Sequence, residues 1–169
     1  MTPVRGLIVE QIPRLRRYAR ALTGDQSRAD DLVQDCLERA LGRTRLWKPG
    51  TNIRAWLFTI MHNLFVNDLR RNKGGLRSLD DATLAQQESA DGDGLAAMEL
   101  RDIDRALAQL TPEHREVLLL VAVEQLTYQE AADALGIPVG TVMSRLARGR
   151  ARLAEVLEDG PGRGLRRVK

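Results

Sequence analysis

One stretch, Thr127–Leu153 (TYQEAADALGIPVGTVMSRLARGRARL), constrains the fold of this chain more than any other. Thr127 followed by Glu130 is a capping-box pattern, in which hydroxyl and carboxylate satisfy opposite orphan amides at a helix start. The helix it opens, Tyr128–Leu135, carries the small pair Ala131 and Ala132, which lets a neighbouring helix approach closely. Gly136 ends it, free to take the left-handed turn conformation. Ile137 and Pro138 restart the chain, proline being tolerated in a first helical turn. From Thr141 a second helix keeps Val142, Leu146 and Leu153 inward and carries Ser144, Arg145, Arg148, Arg150 and Arg152 on its other faces, with no acid before Glu155. Two helices about a glycine turn, the second studded with arginine, describe a helix-turn-helix reading the major groove. A helical hairpin with a solvated basic face would explain the charge alone. It would not explain why cap, small pair, turn glycine and arginine register agree.

The rest of the chain follows helical rules too. Leu7–Leu22 places Leu7, Ile8, Ile12, Leu15, Tyr18, Ala19 and Leu22 on one stripe, with Pro13 marking an interruption or a true start. After the break at Gly24 and Asp25, Ser27 and Asp30 open a helix over Arg28–Leu41. Its apolar stripe is Ala29, Leu32, Val33, Cys36, Leu37 and Ala40, and its other face holds Asp30, Asp31, Gln34, Asp35 and Glu38. Such a face is either solvated or meets a basic protein surface; the residues alone leave both readings open. Thr51 or Asn52 caps a further helix, Ile53–Arg71. Leu95–Leu110 is helical again, and Thr111-Pro112 begins a helix with Val117, Leu118, Val121 and Ala122 inward. No strand pattern and no internal repeat appears. The expected fold is all-α: two small helical domains, 1–74 and 95–159, joined by a flexible acidic linker, 75–94, and followed by a basic tail, 160–169.

Charge distribution narrows the class of partner. The formal net charge is only +3, but Leu76–Gly94 holds Asp80, Asp81, Glu88, Asp91 and Asp93 against the single Arg77. Arg43–Arg54 has Arg43, Arg45, Lys48 and Arg54 and no acid. Basic patches separated by an acidic strip point to a polyanion that touches some surfaces and is kept off others. The loop Gly42–Gly50 holds Trp47 off any apolar stripe, and Asn63, Asn67, Arg70 and Arg71 share one face of the helix that follows. Rings that stack on bases, amides that read exposed edges and cations that hold phosphates are what unpaired DNA requires. Trp56, Phe58 and Phe65, on the other faces, read as core.

Other classes are disfavoured. Cys36, the single cysteine, sits in a helical stripe as a small hydrophobe, and its isolation fits a reducing compartment. Cys36, His62 and His114 are dispersed, so no zinc-ligand spacing exists, and His62 reads as a packed or capping histidine. The longest apolar run, Val117–Val123, is far too short to cross a membrane, and the first residues lack a secretory core; a cytoplasmic protein without membrane insertion is expected. Without a nucleophile-base pairing, a glycine-rich phosphate loop or a ligand cluster, neither enzymatic activity nor a cofactor is expected.

On these residues the chain resembles a bacterial RNA polymerase sigma factor of the extracytoplasmic-function (ECF) group. SRADDLVQDCLERAL looks like sigma region 2.2, NIRAWLFTIMHNLFVNDLRR like regions 2.3 to 2.4, and LTPEHREVLLLVAVEQLTYQEAADALGIPVGTVMSRLARGRARL like region 4. GDQSRADDLVQD and PGTNIRAWLFTI resemble the subgroup that drives the general stress response of alphaproteobacteria. The resemblance implies that Asp30, Asp31, Gln34, Asp35 and Glu38 dock on the clamp helices of the polymerase largest subunit, with the flap as the partner of region 4. It implies that Arg43, Arg45, Trp47, Asn63, Asn67, Arg70 and Arg71 capture the non-template strand of the −10 element, one base flipped out. Thr141, Ser144, Arg145, Arg148 and Arg150 would read the −35 element. The acidic linker would thread the RNA path of the polymerase, and an anti-sigma protein would hold the factor inactive. Met143 and Ala147 depart from the common family pattern, where a basic and a larger residue are usual, which puts the −35 preference in question. The competing reading is a helix-turn-helix regulator that binds duplex DNA without acting as a polymerase subunit. Such a regulator has no need of an acidic docking helix followed by a basic, aromatic one.

Overall fold

The structure is a computed structural model that describes residues 4–74 and 94–159, the side chains of 72–74 and 94–100 excepted. The expected acidic linker lies outside the described residues but for Gly94, as does the basic tail. The described residues are helical throughout: α1 (Val4–Glu10), α2 (Ile12–Thr23), α3 (Gln26–Gly42), a short 3-10 turn (Thr44–Leu46), α4 (Ile53–Gly74), α5 (Gly94–Ala108), α6 (Pro112–Leu118) running into a π-helical turn (Leu119–Val123), α7 (Tyr128–Leu135) and α8 (Val139–Asp159).

Helix boundaries follow from caps. The chain breaks at Gln11, and Pro13 stands in the first turn of α2, where its missing N–H costs nothing. α3 starts two residues before the Arg28 expected, because Asp25, not Ser27, is the N-cap: its carboxylate accepts from Ser27 N at 2.9 Å and Arg28 N at 3.5 Å. Asn52 caps α4 through Arg54 N at 3.0 Å, while the Thr51 hydroxyl turns back to Lys48 O. Thr127 and Glu130 form the reciprocal capping box, and Gly136 closes α7 at φ 65°. α8 begins at Val139 rather than Thr141, one half-turn earlier than the apolar pattern indicates.

Of α5, Ala106 and Leu107 are buried and Ile103 is exposed, with the buried Leu110 just beyond its end. One expectation about an inner face fails. After α6, Ala122 is exposed and Val121 half-buried, while Leu119, Leu120 and Leu126 fill the core. The cause is the π-helical turn: Glu124 N bonds Leu119 O at 2.9 Å, five residues back, and the extra residue rotates everything after it relative to an α-helical count.

The core is one apolar cluster. Leu15, Tyr18, Ala19 and Leu22 of α2 pack on Leu32, Val33, Cys36 and Ala40 of α3 and on Leu57, Phe58, Met61 and Phe65 of α4, with the Tyr18 and Phe58 rings 4.7 Å apart. The same cluster continues into Val117, Leu118, Leu120, Ala131, Leu135, Val142 and Leu146. α4 lies against α7, and α8 against α6 and α7. Gly149 lets α8 approach α6 so closely that an added Cβ would meet His114 O at 3.3 Å.

Candidate nucleic-acid interface

α8 is the arginine-bearing helix. Val142, Leu146 and Gly149 are buried, which turns Ser144 and Arg148 to solvent and leaves Thr141 and Arg145 half-buried. The Ser144 hydroxyl donates to Thr141 O at 3.1 Å. At 100° per residue, Thr141, Ser144, Arg145 and Arg148 share one face of about a third of the helix. Arg150 is exposed but stands roughly half a turn from Arg148, on the flank that carries the exposed Met143. The five residues grouped by sequence therefore do not form one reading face; Arg152, which sequence reasoning left out, falls beside Arg148 and contacts Glu155 at 3.2 Å.

α4 separates a core side from a polar side. Leu57, Phe58, Met61, Leu64 and Phe65 are buried, whereas Asn63, Asn67, Arg70 and Arg71 are exposed and share the opposite face. Arg43 and Arg45 lie exposed at the 3-10 turn before α4. Trp47 is half-buried there, and its Nε1–H is shielded from water with no acceptor, beside the exposed Leu46. A shielded, unpaired donor costs about 1–3 kcal/mol, which an incoming acceptor would offset.

On α3, Asp30, Asp31, Gln34, Asp35 and Glu38 are all exposed, opposite the buried Ala29, Leu32, Val33 and Cys36. Within this acidic face Gln34 donates to Glu38 at 3.4 Å. The groove between α2 and α3 joins Arg16 and Arg20 to Asp30, Val33, Leu37 and Leu41, an apolar floor with charged rims. Burial pushes the Cys36 thiol up to about 12, so it is a packed hydrophobe whose Sγ lies 3.5 Å from Leu57 O. Among the described residues no group of acids, histidines and cysteines has the makings of a metal site, and no helix is long and apolar enough to cross a membrane.

Sequence reasoning missed the buried polar residues that tie the two halves together. Glu124 is fully buried: its carboxylate accepts from Arg17 at 3.1 Å and faces Arg14 at 3.7 Å, and its carbonyl accepts from Arg54 at 3.1 Å. Glu116 pairs with the Nδ1 of His62 across the same boundary. Arg115 donates to Leu22 O at 2.6 Å, and Asn52 donates to Glu130 at 2.7 Å. The only hint in the sequence was that Glu116 and Glu124 bracket the most apolar run of the chain.

Comparison with known proteins identifies the two halves. A family model described as the Sigma2 domain of PhyR matches residues 8–62, and one described as Sigma-70, region 4 matches residues 100–153. The ECF RNA polymerase sigma factor EcfG of Rhodopseudomonas palustris is 38% identical over 154 residues, covering 91% of this chain and 84% of that protein. The ECF sigma factor SigL of Mycobacterium tuberculosis is 36% identical over 146 residues, 85% of this chain and 82% of its own. Among solved structures, the sigma factor RpoE from Bartonella quintana, in complex with the anti-sigma factor NepR, superposes with a TM-score of 0.78 at 31% identity, covering 94% of this chain and 99% of RpoE. CnrH, in complex with the cytosolic domain of CnrY, gives 0.66 at 28% identity over 92% of this chain and 88% of its own. With an all-helical fold, a matching region in each half and relatives that span nearly its whole length, the chain belongs to the ECF group of RNA polymerase sigma factors.

Proposed function

We propose that this chain binds core RNA polymerase, directs it to promoters with −35 and −10 elements and initiates transcription, with no chemistry of its own, in the cytoplasm. The observation that carries the reading is the contrast between two helices of the first half: α3 presents an exposed, mainly acidic face and α4 an exposed Asn/Arg face. A regulator that only grips duplex needs neither. In this reading residues 1–74 form region 2 and 95–159 region 4, with 75–94 as the acidic connection. Asp30, Asp31, Gln34, Asp35 and Glu38 dock on polymerase by charge complementarity. Arg43 and Arg45 hold phosphates of the −10 strand, Asn63 and Asn67 read its exposed bases, Arg70 and Arg71 follow the backbone, and the shielded indole N–H of Trp47 meets a flipped base. Flipping costs a few kcal/mol, which only the right base returns through pocket contacts.

At the −35 element, Thr141, Ser144, Arg145 and Arg148 face base edges, while Arg150, half a turn away, is left to phosphate on the far wall of the groove. The likeness to EcfG and to the PhyR sigma domain supports a role in a general stress response. The RpoE and CnrH complexes support control by an anti-sigma protein. The test is run-off transcription with core polymerase on a genomic promoter library. Transcripts from a subset of templates sharing two spaced motifs are expected; duplex binding without any transcript would leave a plain helix-turn-helix regulator.

A further inference from the structure

The solvent-facing side of α8 has a second flank that the arginines leave unexplained. Val142, Leu146 and Gly149 are the buried residues of this helix and fix which way it faces the core. At 100° per residue, the direction opposite them falls beside Ser144, with Ala147 and Arg148 each about 50° to either side. Ala147 therefore has the same claim as Arg148 to whatever α8 faces. Met143 follows about 40° beyond Ala147, nearer the outward direction than Arg145. Ala147 is exposed, and Met143 is 52% exposed and stands outside the apolar cluster of the core. A single exposed methionine is ordinary on a protein surface. Its place is not: it lies next to an exposed alanine, in the first three turns of a helix whose other flank carries Arg148.

We propose that Met143 and Ala147 are the thymine-reading flank of the −35 helix, packing on the C5-methyl of an A·T pair beside the base pair met by Arg148. The inference rests on the reading of α8 as the −35 helix and extends it by two residues. Thymine alone offers an apolar group on the major-groove edge, and apolar side chains such as alanine are what meet it. Over guanine or cytosine the same side chains would cover O6, N7 or N4 and put nothing in place of the lost water. An apolar flank thus discriminates through the polar groups it would leave unpaired.

Ser144 suits the same pair. Its hydroxyl donates to Thr141 O at 3.1 Å, which leaves its oxygen to act as an acceptor. An acceptor fits the N6 amine of adenine, and an A·T pair carries that amine and the methyl on one edge. Methionine is unbranched and flexible, so it can follow a methyl as the helix settles in the groove. Arg150, about 20° beyond Met143, sets a cation at the outer edge of the flank, where the phosphate wall of the groove begins.

The test removes one methyl at a time. The full-length chain, alone and with core polymerase, first selects duplexes from a random pool at one fixed salt concentration. Each thymine of the recovered −35 motif is then replaced by deoxyuridine, which lacks only the C5-methyl. In the parent chain, one or two positions should lose about fourfold in affinity, the effect of one buried methyl. Met143→Gln or Ala147→Ser should bring the thymine-to-uracil ratio at its own position close to one, whereas Met143→Leu should keep it. Helicity by circular dichroism should be unchanged in all three, since both positions are exposed. Met143→Gln should also shift the preference at its position towards adenine, which glutamine binds through N6 and N7. No recovered motif, a motif indifferent to methyl loss, or a methyl effect that survives both polar variants overturns the proposal. If the free chain shows the methyl effect but mixtures with polymerase give no transcript from these duplexes, the methyl reading stands and the sigma reading fails.

Discussion

Replacing Arg115 by Met tests the energetics of the junction between the halves. The guanidinium donates to Leu107 O at 2.7 Å, Ala108 O at 3.2 Å and Leu110 O at 2.9 Å around the end of α5, and to Leu22 O at 2.6 Å near the end of α2. These carbonyls lie at helix ends, where the helix itself leaves C=O groups short of partners, although Leu107 O also accepts from Leu110 N at 3.1 Å; a cation at that end also suits the helix dipole. Burial pushes the guanidinium below its ordinary range, but arginine stays charged at every working pH. A hydrogen bond to a charged group is worth about 1.5–3 kcal/mol net. The Ala108 bond is exposed and is discounted almost entirely. The other three are partly buried and give up part of their value to desolvation, about 1 kcal/mol each. Met keeps the apolar stem, so the expected loss is about 2–4 kcal/mol, or roughly 4–16 °C in Tm for a chain of this length. Lys, a compact ammonium, cannot span four carbonyls and should recover less than half. Urea unfolding followed by circular dichroism measures this. A loss under about 0.5 kcal/mol for Arg115→Met, or full recovery by Arg115→Lys, would show that the carbonyls are satisfied by water and refute the reasoning.

Four further outcomes are expected. Arg148→Ala should weaken promoter binding by about 1–3 kcal/mol and relax one −35 position, whereas an equal loss on every sequence would reduce Arg148 to a phosphate contact. Reversing Asp31 and Asp35 to Lys, both at exposed positions, should abolish co-purification with core polymerase while helicity is retained. Cys36, with its thiol raised to about 12, should react with a thiol reagent at pH 8 orders of magnitude more slowly in the native than in the unfolded chain. The Glu130 carboxyl is held below its ordinary range chiefly by the backbone amide of Thr127, helped by Asn52, the Thr127 hydroxyl and Arg54, against desolvation. A depressed acid stabilises the fold above its unfolded value and loses that contribution as pH falls through the folded one. Glu130→Gln should therefore flatten the acid limb of the stability profile; an unchanged limb would remove Glu130 from the cap.

Local signals were legible where one short-range rule decided the outcome. The capping box at Thr127 and Glu130, the left-handed turn at Gly136 and the burial of Cys36, Phe58 and Phe65 all follow from residue type and spacing. The start of α3 was misplaced because Asp25 and Ser27 both qualify as caps, and only the bonded amides choose between them. The inward set after α6 was misjudged because a helical count assumes 3.6 residues per turn, and the π-helical turn breaks that count. The resemblance groups Arg150 with Arg148, whereas the helix holds them on opposite sides.

The order of residues by itself determined an all-helical chain, a glycine-hinged pair with arginines on its second member, an acidic face on one helix and an Asn/Arg face on the next. Periodicity and caps act within a few residues, so they survive in one dimension. Only the tertiary structure decided that Glu116 and Glu124 are buried, that Arg115 reaches Leu22 and that Arg70 and Arg145 look into one cleft. Those facts join residues 54 to 107 positions apart, and the stabilisation of a charge by a distant partner leaves no local pattern to read.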